Sequence, residues 1–86
     1  MSVFVIEDEL YAEWIGEFAS RSLAEDELQR IASLPYGRPP NLVPCASFAT
    51  CRRKYCLIEF EAGEPEWKEV RRDHMLSVSA SGAVWA

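Results

Sequence analysis

The sequence has little of what a membrane or secreted protein needs. Its one apolar run near the start, Val3 to Ile6, is far shorter than the roughly 20 apolar residues that a membrane-spanning helix requires. The same run is too short for the core of a signal peptide, and acidic rather than basic residues flank it. We therefore expect a cytoplasmic protein with no membrane partner.

Residues and motifs that carry catalysis are also scarce. His74 is the only histidine, so any histidine-dependent acid–base or nucleophilic chemistry would have to use it. The chain has no glycine-rich phosphate loop, no GxSxG elbow and no HExxH motif. Together with a length of 86 residues, these absences predict a protein that is not an enzyme and has no cofactor.

Cysteine is limited to Cys45, Cys51 and Cys56, an odd count that argues against a disulfide framework. A zinc site would need all three thiolates and His74 to converge, from spacings of five and four intervening residues. Buried thiols often serve simply as small apolar side chains. The sequence thus favours structural cysteines and no metal, with a redox pair of Cys51 and Cys56 as the minor alternative.

Apolar and aromatic residues, in contrast, are plentiful for so short a chain. Apolar residues make up 49% of it and aromatic residues 12%, including Trp14, Trp67 and Trp85. Each buried aromatic side chain removes about 150–250 Å² from water. The length predicts one domain over residues 1–86. Either its core is unusually aromatic, or part of this apolar surface is reserved for a partner.

Charge is negative overall and unevenly distributed. The net charge is −5, which makes nucleic acid an unfavourable partner. Residues 1–34 hold eight acidic and two basic side chains, a net charge of −6, and the rest of the chain is close to neutral. The basic residues concentrate in Arg52–Lys54, a predicted turn, and in Arg71–Arg72, where a predicted strand over 67–71 meets a predicted turn at 72–74. These turns keep a nucleic-acid-binding module as the second alternative function.

The first third of the chain shows helical periodicity. Between Asp8 and Ser20, apolar side chains fall within one arc at 100° per residue, while Glu9, Glu13 and Glu17 occupy another arc. Ser22 followed by Glu25 forms a capping box for a second helix that ends before Pro35. We predict that the two helices form a hairpin.

After a proline-rich loop, the period changes to two, as in strands. We predict four strands, with Cys56, Ile58 and Phe60 sharing one face of the second strand and Tyr55, Leu57 and Glu59 the other. Helices followed by strands are typical of α+β domains. The predicted fold is an N-terminal helical hairpin packed on a three- to four-stranded antiparallel sheet. The predicted strands are 47–51, 55–61, 67–71 and 75–80.

The first hypothesis for function is a non-enzymatic interaction or regulatory protein. Its acidic surface could cover a basic partner, as an acidic inhibitor or immunity-type protein would. The small side chains of Ser77 and Ser79, near Trp85, offer a surface for homodimerisation. The candidate partner-binding residues are Glu9, Glu13, Glu17, Ser77, Ser79 and Trp85.

The first alternative is a small-ligand binder, since aromatic pockets with few polar groups suit such binding. The pocket would lie between the helical hairpin and the sheet. Its candidate lining residues are Trp14, Phe18, Tyr36, Phe60 and Trp67.

Overall fold

The computed structural model describes residues 1–35, 38–41, 52–63 and 65–86. The predicted strand 47–51 lies outside this part of the chain, as do Tyr36, Cys45 and Cys51. Five strands and one helix make up the described residues. In chain order they are β1 (Ser2–Asp8), β2 (Glu13–Phe18), α1 (Arg21–Ala32), β3 (Arg52–Glu61), β4 (Lys68–Ser79) and β5 (Gly82–Trp85).

The five strands form one antiparallel sheet in the order β2-β1-β3-β4-β5. The helix α1 follows β2 and contacts β1, β2 and β4 from one side of the sheet. The predicted fold is therefore wrong: a β-hairpin and a single helix replace the helical hairpin, and the sheet has five strands instead of three or four.

The helix predicted over residues 8–20 is a tight β-hairpin. A four-residue turn, Glu9–Ala12, separates β1 from β2, and Ala12 adopts a left-handed φ of 52°. Asp8 stabilises the turn because its Oδ1 accepts from the backbone N–H of Leu10 at 3.1 Å and from that of Lys54 at 3.1 Å. Strand β1 also pairs with β3 along its whole length. The backbone hydrogen bonds between β1 and β3 stabilise the strand conformation, although the local spacing of apolar residues favours a helix.

The predicted second helix exists, with a different start. The residue that caps α1 is Ser20, whose Oγ accepts from the N–H of Leu23 at 3.2 Å, and not Ser22. The helix ends at Ala32, before Pro35 as predicted. Arg21 in its first turn reaches Asp73 on β4, with 3.3 Å between Nη2 and Oδ2, and so ties the helix to the sheet.

The predicted turns at 52–54 and 72–74 are both wrong, because the first segment lies in β3 and the second lies in β4. Strand β4 is continuous from Lys68 to Ser79 and pairs with β3 throughout, with irregularities opposite Tyr55/Cys56 and Glu59/Phe60. These bulges allow one long strand where the sequence pattern suggests two short ones.

The hydrophobic core lies between α1 and the sheet. Ala24, Leu28 and Ile31 project from the helix and are fully buried. They pack on side chains that share one face of the sheet through the strand register: Ile6, Tyr55, Leu57, Leu76 and Val78. Each buried aliphatic side chain contributes about 1.5–3 kcal/mol. We call this side of the sheet the helix face and the other side the open face.

Three hydrogen bonds of Asn41 join parts of the chain at the rim of this core. Tyr55 donates from its hydroxyl to Asn41 Oδ1 at 2.8 Å, and Asn41 Nδ2 donates to the carbonyls of Ile31 and Leu34. These carbonyls belong to the last turn of α1 and the residues after it, where helix acceptors have no intrahelical partner. Asn41 therefore connects the end of the helix to β3.

Candidate functional site

The open face has a buried apolar floor, although α1, the helix among the described residues, lies on the other side of the sheet. Val5, Cys56 and Ile58 are each 0% exposed. Val5 pairs with Ile58 across β1 and β3, and alternation puts both opposite to the core side chains Ile6 and Leu57. Other side chains of the open face must therefore exclude water from this floor.

Three aromatic residues, which we call the aromatic cluster, lie on this face: Trp14, Phe60 and Trp67. The ring centroids of Trp14 and Phe60 are 5.5 Å apart, and those of Phe60 and Trp67 are 5.8 Å apart. Trp14 and Trp67 stack with 6.2 Å between centroids and 20° between planes. Despite these contacts, Trp14 is 46% exposed and Trp67 is 37% exposed.

The strand register explains how the aromatic cluster forms. Phe60 pairs with Val3, and Trp14 pairs with Glu7, so both side chains stand on the open face. The register of β1 and β2 shifts between Ile6 and Glu7, which leaves Ile15 as an extra residue that packs on the core. Trp14 and Ile15, which are neighbours in β2, therefore pack on opposite faces of the sheet.

A charged group, centred on Arg72, lies beside the aromatic cluster. Arg72 Nη1 lies 2.7 Å from Glu7 Oε1 and 3.4 Å from Glu9 Oε1, and its Nη2 lies 2.9 Å from Glu69 Oε1. Hydrogen bonds to these carboxylates, first of all to Glu69, raise the pKa of the guanidinium. Glu9 also lies 3.6 Å from Lys54 Nζ, so the three carboxylates outnumber the two cations that they contact, and this group is negative.

The side chain of Cys56 is buried next to the charged group. Its thiol donates to Glu9 Oε1 at 2.6 Å. Burial, then the hydrogen bond and charge of Glu9, raise the pKa of Cys56 to about 12, and the same hydrogen bond lowers the pKa of Glu9. The thiol is therefore protonated at neutral pH and is a poor nucleophile.

This environment predicts slow alkylation of Cys56 in the folded protein. The shift from the ordinary value of 9.0 to about 12 lowers the thiolate fraction about 1,000-fold at pH 8. Peptide mapping after timed iodoacetamide treatment, with and without denaturant, measures this protection. Glu9→Gln is expected to increase labelling by removing the carboxylate; equal rates for Cys56 in folded and denatured chains would contradict the assignment.

The same shift predicts a pH dependence of stability. The pKa of Cys56 is higher in the folded chain than in the unfolded chain, so its contribution is complete below about pH 9 and is lost as pH rises toward 12. Cys56→Ala is expected to show a weaker loss of stability over this interval than the unsubstituted protein. Denaturant titrations of the two proteins at matched pH values provide the comparison.

The three acids predicted to line a helix face occupy different positions in the hairpin. Glu9 is in the turn, beside Cys56 and Arg72. Glu13 pairs with Asp8, and its carboxylate lies 3.5 Å from Arg53 Nη2. Glu17 pairs with Val5 and is exposed on the open face. The predicted stripe is therefore wrong in geometry: Glu17 lies on the open face, and Glu9 contacts Cys56 and Arg72 of that face.

The residues predicted to line a pocket do not all lie on the same face of the sheet. Trp14, Phe60 and Trp67 come together, whereas Phe18 pairs with Phe4 and packs against the core on the helix face. Tyr36 lies outside the described residues. Core side chains occupy the space between α1 and the sheet except for a groove beside Trp85, and the three aromatic residues form a surface on the opposite side. Sequence reasoning missed Arg72, Glu7 and Glu69 as site residues; alternation along the strands, with the true register, was the signal that could have found them.

The basic residues do not form a common patch. Arg53 is 4% exposed and pairs with buried Asp8, with 2.8 Å between Nη1 and Oδ2. Lys54 and Arg72 bind carboxylates on the open face, and Arg71 binds Asp73 on the helix face. Four of these five basic side chains are therefore paired with carboxylates, and they lie on two different faces of the sheet. Both facts disfavour a nucleic-acid interface.

Ser77, Ser79 and Trp85 lie at the other end of the sheet. Leu76 and Val78 are buried while Ser77 and Ser79 are partly exposed, which confirms the predicted alternation. Trp85 is 43% exposed and pairs with Leu76. With Met75 it lines a groove of about 340 Å³ between α1 and the sheet.

In residues 1–35, 38–41, 52–63 and 65–86, no three His, Cys, Asp or Glu side chains are grouped as metal ligands. The same residues contain no helix that is long and apolar enough to cross a bilayer. Comparisons with models of known protein families, with curated proteins and with solved structures gave no match.

Proposed function

We propose that this chain is a non-enzymatic, cytoplasmic protein-binding module whose open face engages a basic segment of another protein. The observation that carries the proposal is the stacked pair of Trp14 and Trp67, which stays 46% and 37% exposed above a fully buried apolar floor. The free thiol of Cys56 supports a reducing compartment.

The aromatic cluster has the properties of a binding hot spot. Tryptophan is enriched among the residues that dominate binding energy, and such residues cluster over well-packed neighbours. Phe60 contacts both indoles, so the two rings are held in place before a partner arrives. A preordered aromatic surface loses little conformational entropy on binding.

The charge around the aromatic cluster selects the kind of partner. Glu7, Glu9, Glu17 and Glu69 lie on or beside the open face, where Lys54 and Arg72 are already paired with carboxylates. An arginine or lysine side chain stacks favourably on an exposed indole and is attracted by nearby carboxylates. A basic segment with apolar neighbours therefore matches this surface in both charge and polarity.

The test is selection of binding peptides from a displayed random library, followed by titration of the enriched sequences against purified variants. Wild-type protein is expected to select peptides that combine lysine or arginine with an apolar residue. Trp14→Ala and Trp67→Ala are each expected to weaken binding by about tenfold or more. Added salt should weaken it further, because the attraction is partly electrostatic.

Trp85→Ala is the matched control, since Trp85 has similar exposure but lies at the opposite end of the sheet. It is expected to bind the selected peptides like wild type. Enrichment of acidic or uncharged peptides, or equal losses in all three variants, would overturn the proposal.

A further inference from the structure

The outer edge of β5 is open for strand pairing. In the described sheet β5 is the last strand, and all four of its residues are exposed. Ala86 donates its N–H to Met75 on β4 at 3.0 Å, so the backbone groups of alternate residues, Val84 and Gly82, also point toward β4. The N–H and C=O groups of Ala83 and Trp85 therefore point outward.

This edge carries no charged side chain. All 23 Asp, Glu, Lys and Arg residues lie between Glu7 and Asp73, and residues 74–86 contain none. At a net charge of −5 two copies repel each other, and the side chains of β5 add nothing to this repulsion.

The two edges of the sheet differ in their protection. Edge strand β2 bears Glu13 and Glu17 and an irregular register with β1, which are common devices against unwanted pairing. Strand β5 has neither, and it presents Val84 at 66% exposure and Trp85 at 43%. Because only the β2 edge is protected in this way, we expect the β5 edge to pair with another strand.

We propose that two copies of this chain associate through antiparallel pairing of their β5 strands around a twofold axis at Val84. In this register Ala83 of each copy pairs with Trp85 of the other, and their outward backbone groups form four hydrogen bonds. The two Val84 side chains meet on the open face, in the closer, non-hydrogen-bonded position. On the helix face, each large indole lies beside a small alanine. The result is a continuous ten-stranded sheet.

A second copy is the occupant that this edge fits best. A twofold interface must be self-complementary. Two antiparallel copies of Ala83-Val84-Trp85 meet that condition, because each small Ala83 lies opposite a large Trp85. The aromatic cluster involves β2, β3 and the residue before β4, so pairing at β5 leaves it open. Dimer formation and peptide binding can therefore be tested separately.

Sedimentation velocity at increasing concentrations is expected to show a monomer–dimer equilibrium. Val84→Glu and Val84→Lys each place like charges opposite one another across the twofold axis. Each variant is expected to raise the dimer Kd by about tenfold or more. An equimolar mixture of the two variants places opposite charges together and is expected to restore a heterodimer.

Val70→Glu provides the matched control, because Val70 is an exposed valine of β4 at 59% exposure, away from β5. It is expected to dimerise like wild type. Hydrogen exchange adds a second measurement, since the amides of Ala83 and Trp85 should become protected as concentration rises. A wild-type monomer at every concentration, Val84 variants that dimerise unchanged, or a mixture that stays monomeric would each overturn the proposal.

Discussion

Replacing Arg53 with methionine is expected to lower the free energy of unfolding by about 3–5 kcal/mol. Arg53 is 4% exposed, and its partner Asp8 is 0% exposed. Removing the guanidinium leaves the carboxylate buried without its cation, and such a loss costs far more than breaking a surface ion pair. It also removes the contact between Arg53 and the ring of Tyr11, 5.5 Å from the guanidinium carbon to the centroid.

A loss of this size is comparable with the whole stability of a small domain. Denaturant titration followed by circular dichroism is expected to show a large shift of the midpoint or a partly unfolded baseline. The effect should include the turn after β1, because Asp8 also accepts from the amides of Leu10 and Lys54. Amide exchange in residues 8–13 should therefore become faster.

Arg52→Met is the control, since Arg52 neighbours Arg53 but is exposed. It is expected to change stability by less than about 0.5 kcal/mol. The double variant Asp8→Asn/Arg53→Met should recover at least about 1 kcal/mol relative to Arg53→Met alone, because a neutral amide needs no cation. Equal stability of Arg53→Met and Arg52→Met would show that the buried pair is not formed.

Truncating Leu28 to alanine is expected to cost about 2–5 kcal/mol of unfolding free energy. Leu28 is fully buried in the core cluster, between α1 and the side chains of β1, β3 and β4. The substitution leaves a cavity under the only helix that the structure describes, so the helix loses contact with the sheet. Thermal and denaturant unfolding of the variant measure the loss.

Leu23→Ala is the matched control in the same helix. Leu23 is 51% exposed, and alanine is at least as good a helix former as leucine. We expect a change within about 0.5 kcal/mol. Similar losses for both variants would contradict the packing of α1 through Leu28.

Strands with a clear period of two were predictable from sequence. Cys56, Ile58 and Phe60 share one face of β3 and Tyr55 and Leu57 share the other, as their alternation predicts. Proline after residue 34 also predicted where the helix stops. These features depend on backbone geometry and local sterics, which a sequence pattern carries directly.

The N-terminal hairpin was not predictable from the local pattern. Residues 8–18 place apolar side chains at spacings that suit a helix, and Gly16 was the only local sign against one. The deciding contacts come from residues far along the chain: Asp8 binds Arg53, and β1 pairs with β3. A window of a dozen residues contains neither partner.

The candidate site was also predictable from the sequence only in part. The sequence predicts Trp14, Phe60 and Trp67 together in a pocket between the helices and the sheet, whereas they lie on the face opposite to α1. Arg72 and its carboxylates were overlooked because bulges in β4 set their register. A bulge moves every later side chain to the other face, and no alternation rule anticipates where it occurs.

The sequence by itself determined the net negative charge, the uncharged segment after Asp73, the alternation of side chains along β3 and along residues 76–79 of β4, and the stop of α1. Tertiary structure alone decided that residues 9–18 form a turn and a strand instead of a helix, which face carries the aromatic cluster, and that Arg53 is buried with Asp8. The physical reason is that charge and side-chain alternation belong to the residues themselves. Strand register and ion pairing depend on partners about 45 residues away, whose positions only the folded chain defines.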